Sequence, residues 1–189
     1  MPAPFDVAVI VGSLRKQSIN RAMAHELLKV APDTLALRIV EIGQLPFYNE
    51  DDEPDPPGSW LVFRQQIDAA DALLFLTPEY NRSVPAVLKN ALDVGSRPYG
   101  RSIWDRKPGA IISVSLGALG GFGANHHLRQ ILVALNIPAM PQPEAYIGGA
   151  AALFDQSGHL TSQSTRVFLG EFAHAFAGWV STYVDHRAS

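Results

Sequence analysis

The chain contains no cysteine. That excludes disulfide staples, thiol nucleophiles and thiolate-bound metal or iron–sulfur sites, and it fits a reducing compartment. Charge is also sparse: charged residues make up 17% of the chain and the formal net charge is −3. No basic stripe of the kind that nucleic-acid binding asks for is present. No apolar run approaches the roughly 20 residues that span a bilayer. The start, Met1-Pro2-Ala3-Pro4-Phe5-Asp6, lacks the basic and long apolar segments of a secretory signal. These absences predict a cytoplasmic protein with neither a nucleic-acid nor a membrane partner. A G-x-S-x-G elbow is missing too, which leaves Ser13 and Ser115 poor nucleophile candidates.

What is abundant is hydrophobicity, 47% of 189 residues, enough for a sizeable core in a chain the size of one domain. Residues 1–189 show no repeat, low-complexity tract or linker and are read as a single domain. The continuous apolar run Val7–Val11 predicts a strand buried on both faces, as in a parallel sheet. Further strands are expected at Leu35–Ile42, Ala72–Leu76 and Ala110–Val114, with a short fifth at Ile137–Met140. Helical patterns fill Ser18–Val30, Trp60–Ala70, Val84–Val94, Ala124–Leu135 and Ser162–Val184. In the last of these, Phe168, Phe172, Phe176 and Trp179 form one stripe, the mark of packing. Alternating strands and helices define an α/β fold with right-handed crossovers. Five strands in this length favour a five-stranded parallel sheet of order 2-1-3-4-5, with helices on both faces and a ligand crevice at the switch point between strands 1 and 3.

Two loops meet that switch point. After strand 1 comes Gly12-Ser13-Leu14-Arg15-Lys16-Gln17-Ser18-Ile19-Asn20-Arg21. Gly12 permits a sharp turn, Ser13 and Ser18 offer hydroxyls, Asn20 an amide, and Arg15 a planar fork suited to phosphate oxygens. The next helix adds unpaired N–H groups. Together these suit a phosphate monoester, although a plainer reading makes Ser18 a helix cap and Arg15 a solvated charge. The P-loop and G-x-G-x-x-G spacings are both absent from this turn. After strand 3, Pro78 and Pro85 stiffen a loop containing Glu79, Tyr80 and Asn81. Tyr80 can cover the face of a flat ring, and Asn81 both donates and accepts, as a flavin's pyrimidine edge does. The plainer alternative is a turn with Ser83 as a cap and Tyr80 buried.

The two segments, G-S-L-R-K-x-S-x-N-R and T-P-E-Y-N-x-S-x-P-x-x-L-K-N-A-x-D, resemble the NADPH-dependent FMN reductase family, in particular its quinone, chromate and azo-dye reductase branch. The likeness runs from strand 1 to about Gly148. It implies a flavodoxin-like fold, FMN as cofactor, NADPH or NADH as co-substrate, and a homodimer or homotetramer. On that resemblance Ser13, Arg15, Ser18 and Asn20 hold the FMN phosphate, and Pro78, Glu79, Tyr80 and Asn81 border the ring. Ser115 and Gly117 form a third loop around it. The chain departs from the family pattern after Gly121, where Phe122-Gly123-Ala124-Asn125-His126 precede His127-Leu128-Arg129-Gln130.

The implied activity is hydride transfer from the nicotinamide through FMN to quinones, azo dyes, nitroaromatics, chromate or free flavin, with ping-pong kinetics and no obligatory side-chain acid or base. The alternatives are a one-electron flavodoxin-type carrier and a domain that binds no cofactor. Elsewhere, the acidic stretch from Glu50 to Asp55 reads as a solvated loop. His126 reads as packing at a surface or interface. Arg97 and Arg101, expected near the site mouth, are candidates for the 2′-phosphate of NADPH, with plain loop charges equally expected.

Overall fold

The computed structural model describes residues 3–185, so Met1 and Pro2 of the N-terminal segment lie outside the described residues. The elements are β1 (Phe5–Val11), α1 (Ile19–Val30), β2 (Leu35–Val40), α2 (Gly58–Asp68), β3 (Ala72–Thr77), α3 (Ala86–Ser96), β4 (Gly109–Val114), α4 (Phe122–Ala134), β5 (Ala145–Ile147) and α5 (Gln163–Asp185). All strand pairings are parallel and the order is β2-β1-β3-β4-β5. This is the expected flavodoxin-like arrangement.

Side chains alternate across a strand, and here both faces are covered. Val7, Val9 and Val11 join a core with Leu74, Ile112 and the helices α1 and α5. Ala8 and Ile10 join a second core with Phe63, Phe75, Leu92 and Leu128 from the opposite side. Hence β1 reads as an unbroken apolar run. The aromatic stripe of α5 is core: Phe172 and Phe176 are fully buried, with Phe168 and Trp179 packed at the margin. Ser18 does cap α1, its Oγ accepting from the Arg21 N–H at 3.2 Å.

The fifth strand is not where the pattern predicts it. Ile137–Met140 touches the sheet through a single bridge, Gly109 to Ala139. Pro138 has no N–H to extend a ladder. The pairing strand is Ala145–Ile147, opposite Ile112–Val114. A strand of three residues is too short to show periodicity, so its location rests on tertiary pairing.

The acidic loop is also more ordered than its composition suggests. Arg97 Nε donates to Glu53 Oε1 at 2.7 Å and Nη2 donates to Glu50 Oε1 at 3.0 Å. The Tyr48 hydroxyl donates to Glu53 at 2.7 Å. Tyr48 and Arg97 together hold the Glu53 carboxyl below the usual range.

At the foot of α3 the indole of Trp104 is fully buried and donates to Leu92 O at 2.9 Å. A methyl group at Gly95 would lie 2.4 Å from that ring. Gly95→Ala gains about 1 kcal/mol of helix propensity, but overpacking against an anchored indole costs about 1–3 kcal/mol. Net destabilisation in urea unfolding is expected, and a stabilised variant would show that the indole yields.

Candidate functional site

The register of the sheet brings the strand ends level. Val11 lies opposite Leu76, Thr77 opposite Ser113, and Val114 opposite Ile147. The loops leaving β1, β3 and β4 therefore open side by side at the carboxyl edge, and they enclose one cleft of about 500 Å³. Of the ten residues named from the sequence, Ser13, Arg15, Ser18, Asn20, Pro78, Glu79, Tyr80, Ser115 and Gly117 line it, and Asn81 does not. Arg15 and Tyr80 share this one space.

The first loop is seated by Gly12, whose N–H donates to Leu76 O at 2.8 Å. Ser13 and Ser18 are buried at 5% and 6% exposure. Among the described residues, no N–H from Ser13 to Ser18 has a backbone acceptor. The exposed Arg15 guanidinium likewise has no carboxylate partner among them. Unpaired donors therefore gather at this end of the cleft. Asn20 differs from its expected use. Its amide N–H donates to Val114 O at 3.3 Å, tying α1 to the tip of β4. Its buried Oδ1 has no partner among the described residues. The free atom is an acceptor, which suits a hydroxyl better than a phosphate.

The second loop is a tight hairpin. Tyr80 and Ser83 exchange both backbone hydrogen bonds at 2.9 Å. Asn81 and Arg82 between them both have positive φ, 49° and 65°, as the favoured two-residue hairpin turns require. That geometry puts Asn81 at the exposed tip, away from the cleft, and brings Arg82 to its wall. Tyr80 is half exposed, and the Ser83 hydroxyl bonds to His127 Nδ1 at 3.0 Å. Neither is the buried ring or helix cap of the plainer reading. Glu79 Oε2 accepts from the Ala124 N–H at 3.2 Å, and Oε1 accepts from Arg82 at 3.0 Å. It thus serves the start of α4, where Gly121 has no side chain to do so.

The third loop is pinned by β5. The Ser115 N–H donates to Ile147 O at 3.0 Å and Ser115 O accepts from Ala150 at 3.1 Å. Gly120 and Gly121 have φ of 61° and 76°. A Cβ on Gly120 would lie 2.5 Å from the Tyr146 backbone, so the turn needs glycine for space as well as torsion. Leu116 and Leu119, both exposed, give the cleft an apolar lip that motif reading missed.

His126 lies outside the cleft lining. Its ring packs 4.1 Å from Phe122, and Nε2 meets the Tyr146 hydroxyl at 3.1 Å. Burial, then the nearby Glu144 carboxylate, push the Tyr146 phenol up. Arg97 and Arg101 do not border the cleft either. α3 carries the chain away from the carboxyl edge before they occur, and Arg97 is committed to Glu50 and Glu53. The loop-charge reading holds for this pair.

An open parallel sheet with an anion-receptive turn and an apolar-walled cleft at its switch point defines a flavodoxin-like nucleotide-binding protein. Comparison with known proteins makes this specific. Residues 5–152 match the model of the NADPH-dependent FMN reductases, and the chain belongs to that family. It is similar to a quinone reductase of Pseudomonas putida, with 61% identity over 95% of this chain and 97% of the relative. A 2-hydroxy-1,4-benzoquinone reductase of a Burkholderia species is 48% identical over 92% of this chain and 95% of its own. Among solved structures it resembles FerB, a flavoenzyme NAD(P)H:(acceptor) oxidoreductase from Paracoccus denitrificans. That match has a TM-score of 0.88 and 41% identity, over 95% of this chain and 98% of FerB. Membership makes the chain an oxidoreductase that works with FMN and NAD(P)H, and decides against the simple carrier and the cofactor-free domain.

Since Glu79 supplies the side-chain acceptor at the start of α4, Glu79→Ala should destabilise the fold by about 1 kcal/mol, the usual worth of an N-terminal cap. Glu79→Gln, which keeps the acceptor, should lose less. Thermal unfolding of both variants measures this, and an unchanged midpoint for Glu79→Ala would refute the capping role.

Proposed function

We propose that this cleft is the FMN site of an NAD(P)H:quinone oxidoreductase that also accepts other small two-electron acceptors. The observation that carries the reading is the polarity of one cleft, with unpaired donors at the Ser13–Ser18 end and apolar walls at the other. A volume of about 500 Å³ lies within the range of cofactor pockets. The donor set suits a phosphate monoester, and Pro78, Tyr80, Leu116 and Leu119 suit a flat ring system. The orphaned Asn20 Oδ1 between these ends suits a hydroxyl of the ribityl chain. When bound, FMN supplies the relay between nicotinamide and acceptor.

The protein's part is binding and electrostatics. Ser13, Arg15 and Ser18 hold the phosphate. Glu79 fixes the hairpin so that Tyr80 borders the ring. The N–H groups from Leu116 to Ala118, which have no backbone acceptor among the described residues, face developing negative charge as preorganised dipoles. The exposed lip made by Leu116, Leu119 and Tyr80 leaves one slot over the ring. Nicotinamide and acceptor occupy it in turn, which gives ping-pong kinetics. The names of the quinone-reducing relatives support a quinone as acceptor; azo, nitroaromatic, chromate and free-flavin substrates fit the same open slot.

The working unit is a homodimer or homotetramer of single-domain subunits in the cytoplasm. Phe47 and Tyr99, 78% and 89% exposed, are aromatic surface of the kind oligomer contacts cover. The lack of cysteine fits a reducing compartment. Among the described residues, no helix is long and apolar enough to cross a membrane.

Arg15→Ala removes the unpaired guanidinium, and a charge-assisted phosphate contact of this kind is worth about 1.5–3 kcal/mol. FMN affinity should fall by roughly tenfold or more, read by quenching of flavin fluorescence. Wild-type protein should purify yellow and bleach with anaerobic NAD(P)H. A fully flavinated Arg15→Ala protein of unchanged affinity would defeat the phosphate assignment.

A further inference from the structure

Beyond the phosphate end of the cleft lies a second hollow, of about 690 Å³, between α1 and the segment that follows β5. Arg15, Ser18 and Ile19 border both spaces. The two therefore adjoin at the first turn of α1, as the halves of one trough. Its apolar lining includes Ala22, Ala151 and Phe154.

The charges around this hollow are unequally engaged. Arg21 donates two bonds to Glu41, at 2.7 and 2.6 Å. Asp155 accepts from the N–H groups of Ser157 and His159, at 2.8 and 2.9 Å, and its carboxylate lies 3.6 Å from the His159 ring. Those contacts, the His159 N–H foremost, hold its carboxyl below the usual range. Both are thus committed within the fold. Lys16 and His25 line the same hollow and are exposed. Neither has an ion-pair partner among the described residues. Arg15, on the shared wall, is the third uncommitted basic group, and the FMN phosphate engages it.

We propose that this hollow holds the adenosine half of the nicotinamide dinucleotide, and that Lys16, on the same hollow as His25, receives the 2′-phosphate that distinguishes NADPH from NADH. The inference rests on the function proposed above, since the nicotinamide must lie in the cleft for its other half to enter the adjoining hollow. A dinucleotide has two nucleotide halves, and the trough has two connected spaces. A phosphate monoester is a dianion near neutral pH, and a lysine ammonium receives it as a point charge without needing the planar geometry of an arginine fork. NADH brings no charge to this position and gains nothing from Lys16.

The test uses FMN-loaded protein, so that the FMN phosphate site is filled. Adenosine 2′,5′-bisphosphate and 5′-AMP are titrated by calorimetry into wild type and Lys16→Glu. Wild type should bind the bisphosphate about tenfold more tightly than 5′-AMP, and Lys16→Glu should abolish that preference while retaining its flavin. In steady state, kcat/KM for NADPH should fall about tenfold in Lys16→Glu, with that for NADH changing less than about twofold. Equal affinity of wild type for the two nucleotides, or a preference that survives in Lys16→Glu, overturns the assignment. A flavin bleached by both nicotinamides with equal KM overturns the trough alone. A flavin bleached by neither overturns the function on which it rests.

Discussion

In a parallel sheet the hydrogen-bond register decides where neighbouring strands stop. Here β1, β3 and β4 end within two residues of each other, and the loops that follow share a single opening. Every later feature of the site depends on that alignment. The donors of the first loop and the ring-sized walls of the second and third are far apart in the chain, and they become one receptor because the ladders hold their bases side by side. Asn20 reinforces the arrangement with a side-chain bond from the first helix to the tip of β4. β5, although only three residues long, supplies the contacts that hold the third loop.

The fate of each charged side chain separates structure from function. Arg21, Arg82 and Arg97 are each paired with a carboxylate. Exposed pairs of this kind contribute little stability, but they keep these cations from acting as anion receptors. Among the described residues, Arg15 and Lys16 have no such partner, and both border the hollow beside α1. In a chain with a net charge of −3, two adjacent unpaired cations create a local field that the overall charge conceals. The same logic removes Arg97 from the nicotinamide's phosphate, because two glutamates of the acidic loop already hold it.

Much of the candidate cleft's lining was legible in the sequence. Ser13, Arg15 and Ser18 lie within one turn of a strand–helix junction, where sequence proximity guarantees spatial proximity. Tyr80 and Glu79 follow a strand end in the same way. The differences have physical causes. Asn81 was expected at the ring, but a two-residue hairpin with positive φ at both central positions turns it outward and Arg82 inward. Leu116 and Leu119 carry no polar chemistry for a motif to register. β5 leaves no periodic signal because its three residues are set by pairing with β4, while Ile137–Met140 is a longer apolar run with the wrong neighbours.

The sequence by itself determined the class of fold, the helix and strand types and the anion-receptive turn, since these follow from hydrophobic periodicity and from residues close together in the chain. Tertiary structure alone decided which cations and which atom of Asn20 lack a partner among the described residues, and that Arg15 borders two hollows. Those outcomes depend on contacts between residues tens of positions apart, such as Arg97 with Glu53 and Asn20 with Val114. Such contacts leave no periodic trace along the chain, because they arise only when the ladders bring distant loops to the same edge.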